Sequence, residues 1–269
     1  MNSKPPASRL RIVVAFDVCR RDLDSLELAA VLAARRGAEI DAVFVEELNL
    51  LNSAELPFTR EVDRLFGTER AFDPLRVSRA QRIGLSQIRQ ELGRLAEQLK
   101  VRGSVRTLRG HLVPTALACV SDIDVLVIGR RRDRPAPDRA GARLSVTRRS
   151  GTSAPAMQGE AVWSVFDGTA ASLSAVAVAA EVAACEKRPL CVAVPRSPPE
   201  LTQELQRSLA SGQVPQPAPT RIIEIQPFEP FALLRRLRQS GCRMLVLPRT
   251  ERSLIEATTD SADWPLMLV

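Results

Sequence analysis

The stretch Trp163–Ala184, WSVFDGTAASLSAVAVAAEVAA, has a counterpart 150 positions earlier in Val13–Ala34, VVAFDVCRRDLDSLELAAVLAA. Without a gap, Phe16 meets Phe166, Asp17 meets Asp167 and Leu23 meets Leu173. The pairs Ala29-Ala30 and Ala33-Ala34 meet Ala179-Ala180 and Ala183-Ala184. Alanine matches carry little weight in an alanine-rich chain. An aspartate that closes an apolar run and is followed by an amphipathic stretch carries more. The doubling predicts a doubled fold.

Outward from these two stretches the elements alternate. In the first half, LRIVVAF (10–16) is β-branched and too short for a helix, so it reads as a buried strand. A helix follows, capped by Asp22 or Asp24 and stopped at Gly37. EIDAVFVEE (39–47) and GSVRTLRG (103–110) read as strands, VPTALACVSD as a short helix, and DIDVLVIG as a buried strand ending at Gly129. In the second half, AVWSVFD is a strand and Leu173, Val176, Ala177, Ala180 and Ala184 form a helix stripe. Then come the strand PLCVAV, the helix PPELTQELQRSLASG, the strand TRIIEI, a helix in PFALLRRLRQSG, the strand CRMLVLP, the helix ERSLIEATTD and the strand WPLMLV. Strands alternating with helices imply βαβ units, parallel sheets covered on both faces, and right-handed crossovers. The period is far too long for a solenoid.

Two segments do not repeat. In residues 48–100, Leu85, Ile88, Leu92, Leu95 and Leu99 define one helix face. It is expected to pack on the first sheet, with a partner or dimer helix as the other reading. Residues 130–159 hold Arg130, Arg131, Arg132, Arg134, Arg139, Arg143, Arg148 and Arg149 among Pro, Ala, Ser and Gly. They read as a linker. The expected division is 9–130 for the first domain, 131–159 for the linker and 160–269 for the second domain.

The 269 residues carry a formal charge of +7, and the positive charge is almost all arginine, with lysine confined to Lys4, Lys100 and Lys187. A basic balance suits nucleic acid or an anionic surface, but most of the arginine is interleaved with acids. No apolar run is long enough for a membrane span, and MNSKPPASRL has no apolar core of the kind a secretory signal needs. Cys19, Cys119, Cys185, Cys191 and Cys242 are scattered without a CxxC, which suggests reduced thiols in a cytoplasm. With His111 the only histidine, neither a zinc site nor a Ser-His-Asp triad is expected, and His111 reads as a packing or capping residue. No P-loop and no strand-linked GxGxxG is present. A non-enzymatic protein is expected.

VVAFD, WSVFDGT and RGHLVPTALACVSDIDVLVIGRR together resemble the universal stress protein family, in tandem form. The resemblance implies two adenine-nucleotide α-hydrolase-like α/β domains, each an open, mostly parallel five-stranded sheet of order 3-2-1-4-5 with helices on both faces. It also implies a ligand crevice where the winding reverses, beyond strands 1 and 4. ATP or AMP would be met there by the strand-1 aspartate, a strand-2 backbone position and a Gly-x2-Gly-x9-Gly-Ser/Thr loop. Carried over residue by residue, the first half offers Asp17, Val45 and Gly129. Arg132 replaces the second glycine, Ala142-Arg143 stand where Gly-Ser/Thr is wanted, and Ser145 in LSVTRR is the nearest hydroxyl. Arg130 and Arg132 could take over phosphate contact. The second half keeps Asp167, Gly168 and Thr169 but sets Pro195 against Val45 and Pro248 against Gly129, so its site reads as vestigial. Asp17 and Asp167 have a plainer reading too, as residues that cap the turn from strand to helix.

The expected role is a stress-response or regulatory binding or scaffold protein, with at most one weak nucleotide site. Its two domains would pair as an intramolecular pseudo-dimer through a sheet edge at WPLMLV, and a homodimer is open. The alternative is a nucleic-acid or anion binder acting through Arg130–Arg149, with binding that falls steeply with salt.

Overall fold

The alternation in RIVVAF is read by two cores at once. In β1 (Arg11–Phe16), Ile12, Val14 and Phe16 enter one apolar cluster and Val13 and Ala15 enter the other, all fully buried. A strand buried on both faces belongs inside a parallel sheet between two helical layers. The computed structural model describes residues 10–48, 52, 53, 56, 58–62, 67–121, 124–130, 161–212, 214, 219–261 and 264–269. The linker, residues 131–159, lies outside them.

The first half continues with α1 (Leu23–Arg36), which ends at Gly37 in the left-handed region (φ 62°). Next come β2 (Glu39–Glu47), the small antiparallel pair β3 (Arg60–Val62) and β4 (Glu69–Ala71), and α2 (Pro74–Leu99). Then follow β5 (Gly103–Gly110), α3 (Leu112–Leu117) and β6 (Val125–Ile128). The second half runs β7 (Ala161–Val165), α4 (Ala170–Glu186), β8 (Leu190–Pro195), α5 (Glu200–Ala210) and β9 (Thr220–Ile225). It ends with α6 (Pro230–Ser240), β10 (Cys242–Leu247), α7 (Arg252–Ser261) and β11 (Leu266–Leu268).

One nine-stranded sheet runs through both halves, in the order β5-β2-β1-β6-β11-β10-β7-β8-β9. The α/β architecture expected from the sequence is present: the second half shows the order 3-2-1-4-5, and the first half shows 3-2-1-4 with its fifth place taken by β11. Among the described residues the first half supplies four strands and the second five. β11 is shared. It pairs parallel with β10, Leu245 opposite Leu266, and antiparallel with β6, Leu266 opposite Ile128 and Leu268 opposite Leu126. An antiparallel pairing here presents the carboxyl ends of the parallel strands in opposite directions in the two halves.

α1, α2, α4 and α5 cover one face of the sheet, and α3, α6 and α7 the other. Ile88, Leu92 and Leu95 of α2 are buried, with Leu85 and Leu99 packed at the margin, so the long helix lies on the first half. The stripe expected on α4 is corrected: Ala184 is exposed, while Ala175, Val178, Ala179, Val182 and Ala183 are buried. Packed against both the sheet and α1, this alanine-rich helix is buried around most of its circumference and has no single apolar stripe.

Candidate functional site

In the first half the chain leaves β1 through Asp17. Its Oδ1 accepts hydrogen bonds from the backbone N–H of Cys19 (2.7 Å) and of Arg20 (2.6 Å). The carboxylate closes the strand-to-helix turn itself, because short polar side chains bond to amides two or three residues on. Burial pushes its pKa above the usual carboxylate range, opposed by the Arg20 amide and guanidinium.

Arg20 fills the crevice. It is 7% exposed, and its guanidinium lies 3.9 Å from Asp17 Oδ2. It donates to the carbonyl of Gly129 at the end of β6 (3.4 Å) and to the carbonyl of Thr259 on α7. A planar guanidinium with several donors suits this bridging. The mouth between the β1 and β6 exits is therefore spanned by the protein's own cation.

Gly129 has a packing role in this arrangement. A Cβ there would stand 3.0 Å from the Cβ of Asp22, so the absent side chain lets the β6 exit approach the N-terminus of α1. Asp22 is the N-cap residue, but its side chain bonds to no helix amide and instead accepts from Ser25 Oγ at 2.8 Å. Arg130 reaches the same place, 3.7 Å from Asp22 and 3.6 Å from Asp24, which engages it with acids of α1. Val45 is fully buried in β2, opposite Leu108 of β5. Arg132, Ser145 and the rest of the arginine run lie outside the described residues. The structure thus brings Asp17, Gly129 and Arg130 to one corner.

In the second half Asp167 Oδ1 accepts from the amide (2.9 Å) and the hydroxyl (2.7 Å) of Thr169. Thr169 caps α4 by accepting from the Ser172 amide at 3.1 Å. Burial raises the Asp167 pKa, but hydrogen bonds from Ser172 and Thr169 outweigh it and hold the group below the usual range. Gly168 has φ +90°, and a Cβ there would meet Leu201 Cδ2 at 2.6 Å, so the position requires glycine. Glu251, on the loop after β10, is pushed upward by burial and by the charge of Asp167. Two carboxylates across this mouth disfavour a phosphate there. At both exits the aspartate caps its own turn.

His111 Nδ1 meets Glu47 Oε1 at 2.8 Å while Glu47 Oε2 accepts from the Leu112 amide. Glu47, not His111, caps α3. Burial pushes the thiols of Cys185, Cys191 and Cys242 up, away from nucleophilic thiolate. Among the described residues no group of three His, Cys, Asp or Glu is placed to hold a metal, and no helix is long and apolar enough to cross a membrane.

Arg20 is the residue that sequence reasoning missed. The signal available was an arginine immediately after the strand-1 turn, where the second half has Ala170.

A nine-stranded, mostly parallel sheet with two points of winding reversal, each marked by an aspartate, defines an α/β protein of the universal-stress fold. The crystal structure of a universal stress protein from Archaeoglobus fulgidus DSM 4304 matches 96% of this chain and 97% of its own, with a TM-score of 0.50 at 11% identity. A functionally unknown protein from Pseudomonas aeruginosa PAO1 matches 97% of this chain and 92% of its own, at 11% identity and a TM-score of 0.44. Neither a protein-family profile nor a curated protein matches the sequence.

Proposed function

We propose that this chain is a non-enzymatic binding or scaffold protein of universal-stress type, built from two fused halves joined through residues 131–159, with any adenine-nucleotide affinity confined to a weak site in the first half. The observation that carries the reading is Arg20, whose buried guanidinium bridges the carbonyls of Gly129 and Thr259 in the crevice where a nucleotide would lie. A ligand entering there must displace two charge-assisted hydrogen bonds, each worth about 1.5–3 kcal/mol. Together they lower affinity by about two to four orders of magnitude. Asp17 is already committed to two amides, and the second half sets Asp167 and Glu251 against any phosphate.

The test is native mass spectrometry of the gently purified full chain, followed by titration with ATP and AMP. The expected result is nucleotide-free protein, with binding at most in the millimolar range and weakened further in Asp17→Ala. One nucleotide retained per chain at micromolar concentration would overturn the reading, as would turnover of ATP.

A further inference from the structure

A cavity of about 230 Å³ opens between α2 and the carboxyl-terminal halves of β2 and β5, where Phe44 stands in register with Phe16 at the end of β1. It holds roughly eight water volumes at ~30 Å³ each. The sheet side is built by register: Phe44 stands opposite Thr107, and Glu46 opposite Arg109, so side chains of one face converge. The helix side presents Ser78, Gln81, Arg82 and Leu85, residues at i, i+3, i+4 and i+7 on one face of α2.

Two donors of this cavity, Gln81 Nε2 and the Arg82 guanidinium, have no acceptor among the described residues. Gln81 is 7% exposed, and its Nε2 is buried with no hydrogen-bond partner. An orphaned buried amide is destabilising unless something occupies it. Glu46 is the only acid in the lining and is taken by Arg109 at 2.9 Å. Arg82 makes no ion pair with a described residue, so among the described residues the lining carries one positive charge in excess. Arg21 lies over Gly84, three positions on from Gln81, with its own Nε buried and unpartnered. Phe44 and Leu85 supply an apolar wall beside the donors.

We propose that this cavity binds a small organic anion, a carboxylate or phosphate monoester with a compact apolar body. The acid group would accept from Gln81 Nε2 and Arg82, with the hydroxyls of Ser78 and Thr107 at hand, and the apolar body would lie against Phe44 and Leu85. The lining shares no residue with the Asp17–Arg20–Gly129 crevice, so the two sites can be tested independently.

The experiment is a ¹H–¹⁵N titration of the full chain with benzoate, inorganic phosphate and neutral benzamide. Benzoate should shift the Gln81 side-chain amide pair and the backbone amides of residues 78–85, while benzamide binds at least about tenfold more weakly. Arg82→Ala, an exposed change that leaves the fold intact, should weaken benzoate about tenfold. Gln81→Leu should abolish the shifts and raise the melting temperature, because the orphaned donor is gone. Phosphate that competes with benzoate for the same resonances identifies phosphate monoesters as the preferred acids. Phosphate that does not compete identifies carboxylates. Equal binding of benzamide and benzoate, no effect of Arg82→Ala, or no shift at Gln81 with either anion overturns the proposal.

Discussion

The guanidinium of Arg20 donates to the backbone carbonyl of Thr259, 239 residues further along the chain. The first turn of the protein is thereby fastened to its last helix, and the crevice beyond β1 is closed by the same contact. Arg20→Ala removes charge-assisted bonds to two carbonyls and the pairing with Asp17. The expected cost is about 3 kcal/mol in urea unfolding monitored by circular dichroism. Arg20→Lys should recover only part of it, because a single ammonium cannot reproduce the fork that spans Gly129 and Thr259. A loss below about 0.5 kcal/mol in Arg20→Ala would show that the bridge is not made in solution.

Asp17 separates charge from geometry. Its acceptor oxygen serves two amides, whereas its charge is penalised by burial. Asp17→Asn keeps an oxygen in place and should stay within about 1 kcal/mol of wild type at neutral pH, while Asp17→Ala orphans both amides and should lose about 1–3 kcal/mol. The folded pKa is raised above the unfolded value near 4, so the folded state takes up a proton more readily. Asp17 therefore contributes less stability as pH rises through that window. The difference between wild type and Asp17→Asn should move in favour of the asparagine variant from pH 4 upward, in unfolding curves measured at matched ionic strength.

Much of this architecture was legible because strands buried on both faces leave an unambiguous mark. RIVVAF and VLVI have no polar face to confuse with a helix, and their order fixes the crossovers. The aspartates at 17 and 167 were legible as turn residues for the same local reason. Three features were not. Arg20 reads like any surface arginine, since its burial depends on carbonyls from β6 and α7 that no local pattern encodes. α4 shows no phase, because alanine differs too little from its neighbours to mark which side faces the sheet. WPLMLV was readable as a joining strand, but its own alternation does not say that it would serve both halves, antiparallel to β6 and parallel to β10.

Asp124 gives the opposite pH sign to Asp17. It is 1% exposed and accepts from the Arg11 guanidinium and from the amide and hydroxyl of Ser121 (both 2.8 Å). Burial raises its pKa, but these bonds outweigh burial and hold the group below the usual range. A depressed folded pKa stabilises the protein above the unfolded value of about 4 and loses that contribution as pH falls through the folded value. Asp124→Asn should therefore cost about 1–3 kcal/mol at pH 7, and the gap to wild type should close as pH falls from 4 toward 2. A gap that stays constant over that range would assign the loss to packing alone.

β11 carries the connection between halves. Leu266, Met267 and Leu268 are buried, Met267 lies opposite both Val246 and Val127, and the Val269 amide donates to Leu247 while its carbonyl accepts from Arg249. A chain ending at residue 263 leaves β6 and β10 with unpaired inner edges, which invite pairing with another molecule. The expected outcome is self-association in size-exclusion chromatography with light scattering, and separate unfolding of the halves where the intact chain shows one cooperative transition. Met267→Pro tests the same joint with the chain length kept, by removing one ladder donor from a central strand. It should lose about 3 kcal/mol or more, whereas Met267→Leu, close in volume, should cost less than about 1.5 kcal/mol. A truncated chain that remains monomeric and unfolds in one step would place the coupling elsewhere, in the Arg20–Thr259 and Arg249–Ser121 bonds, the Arg36–Glu181 pair and the α1–α4 contact.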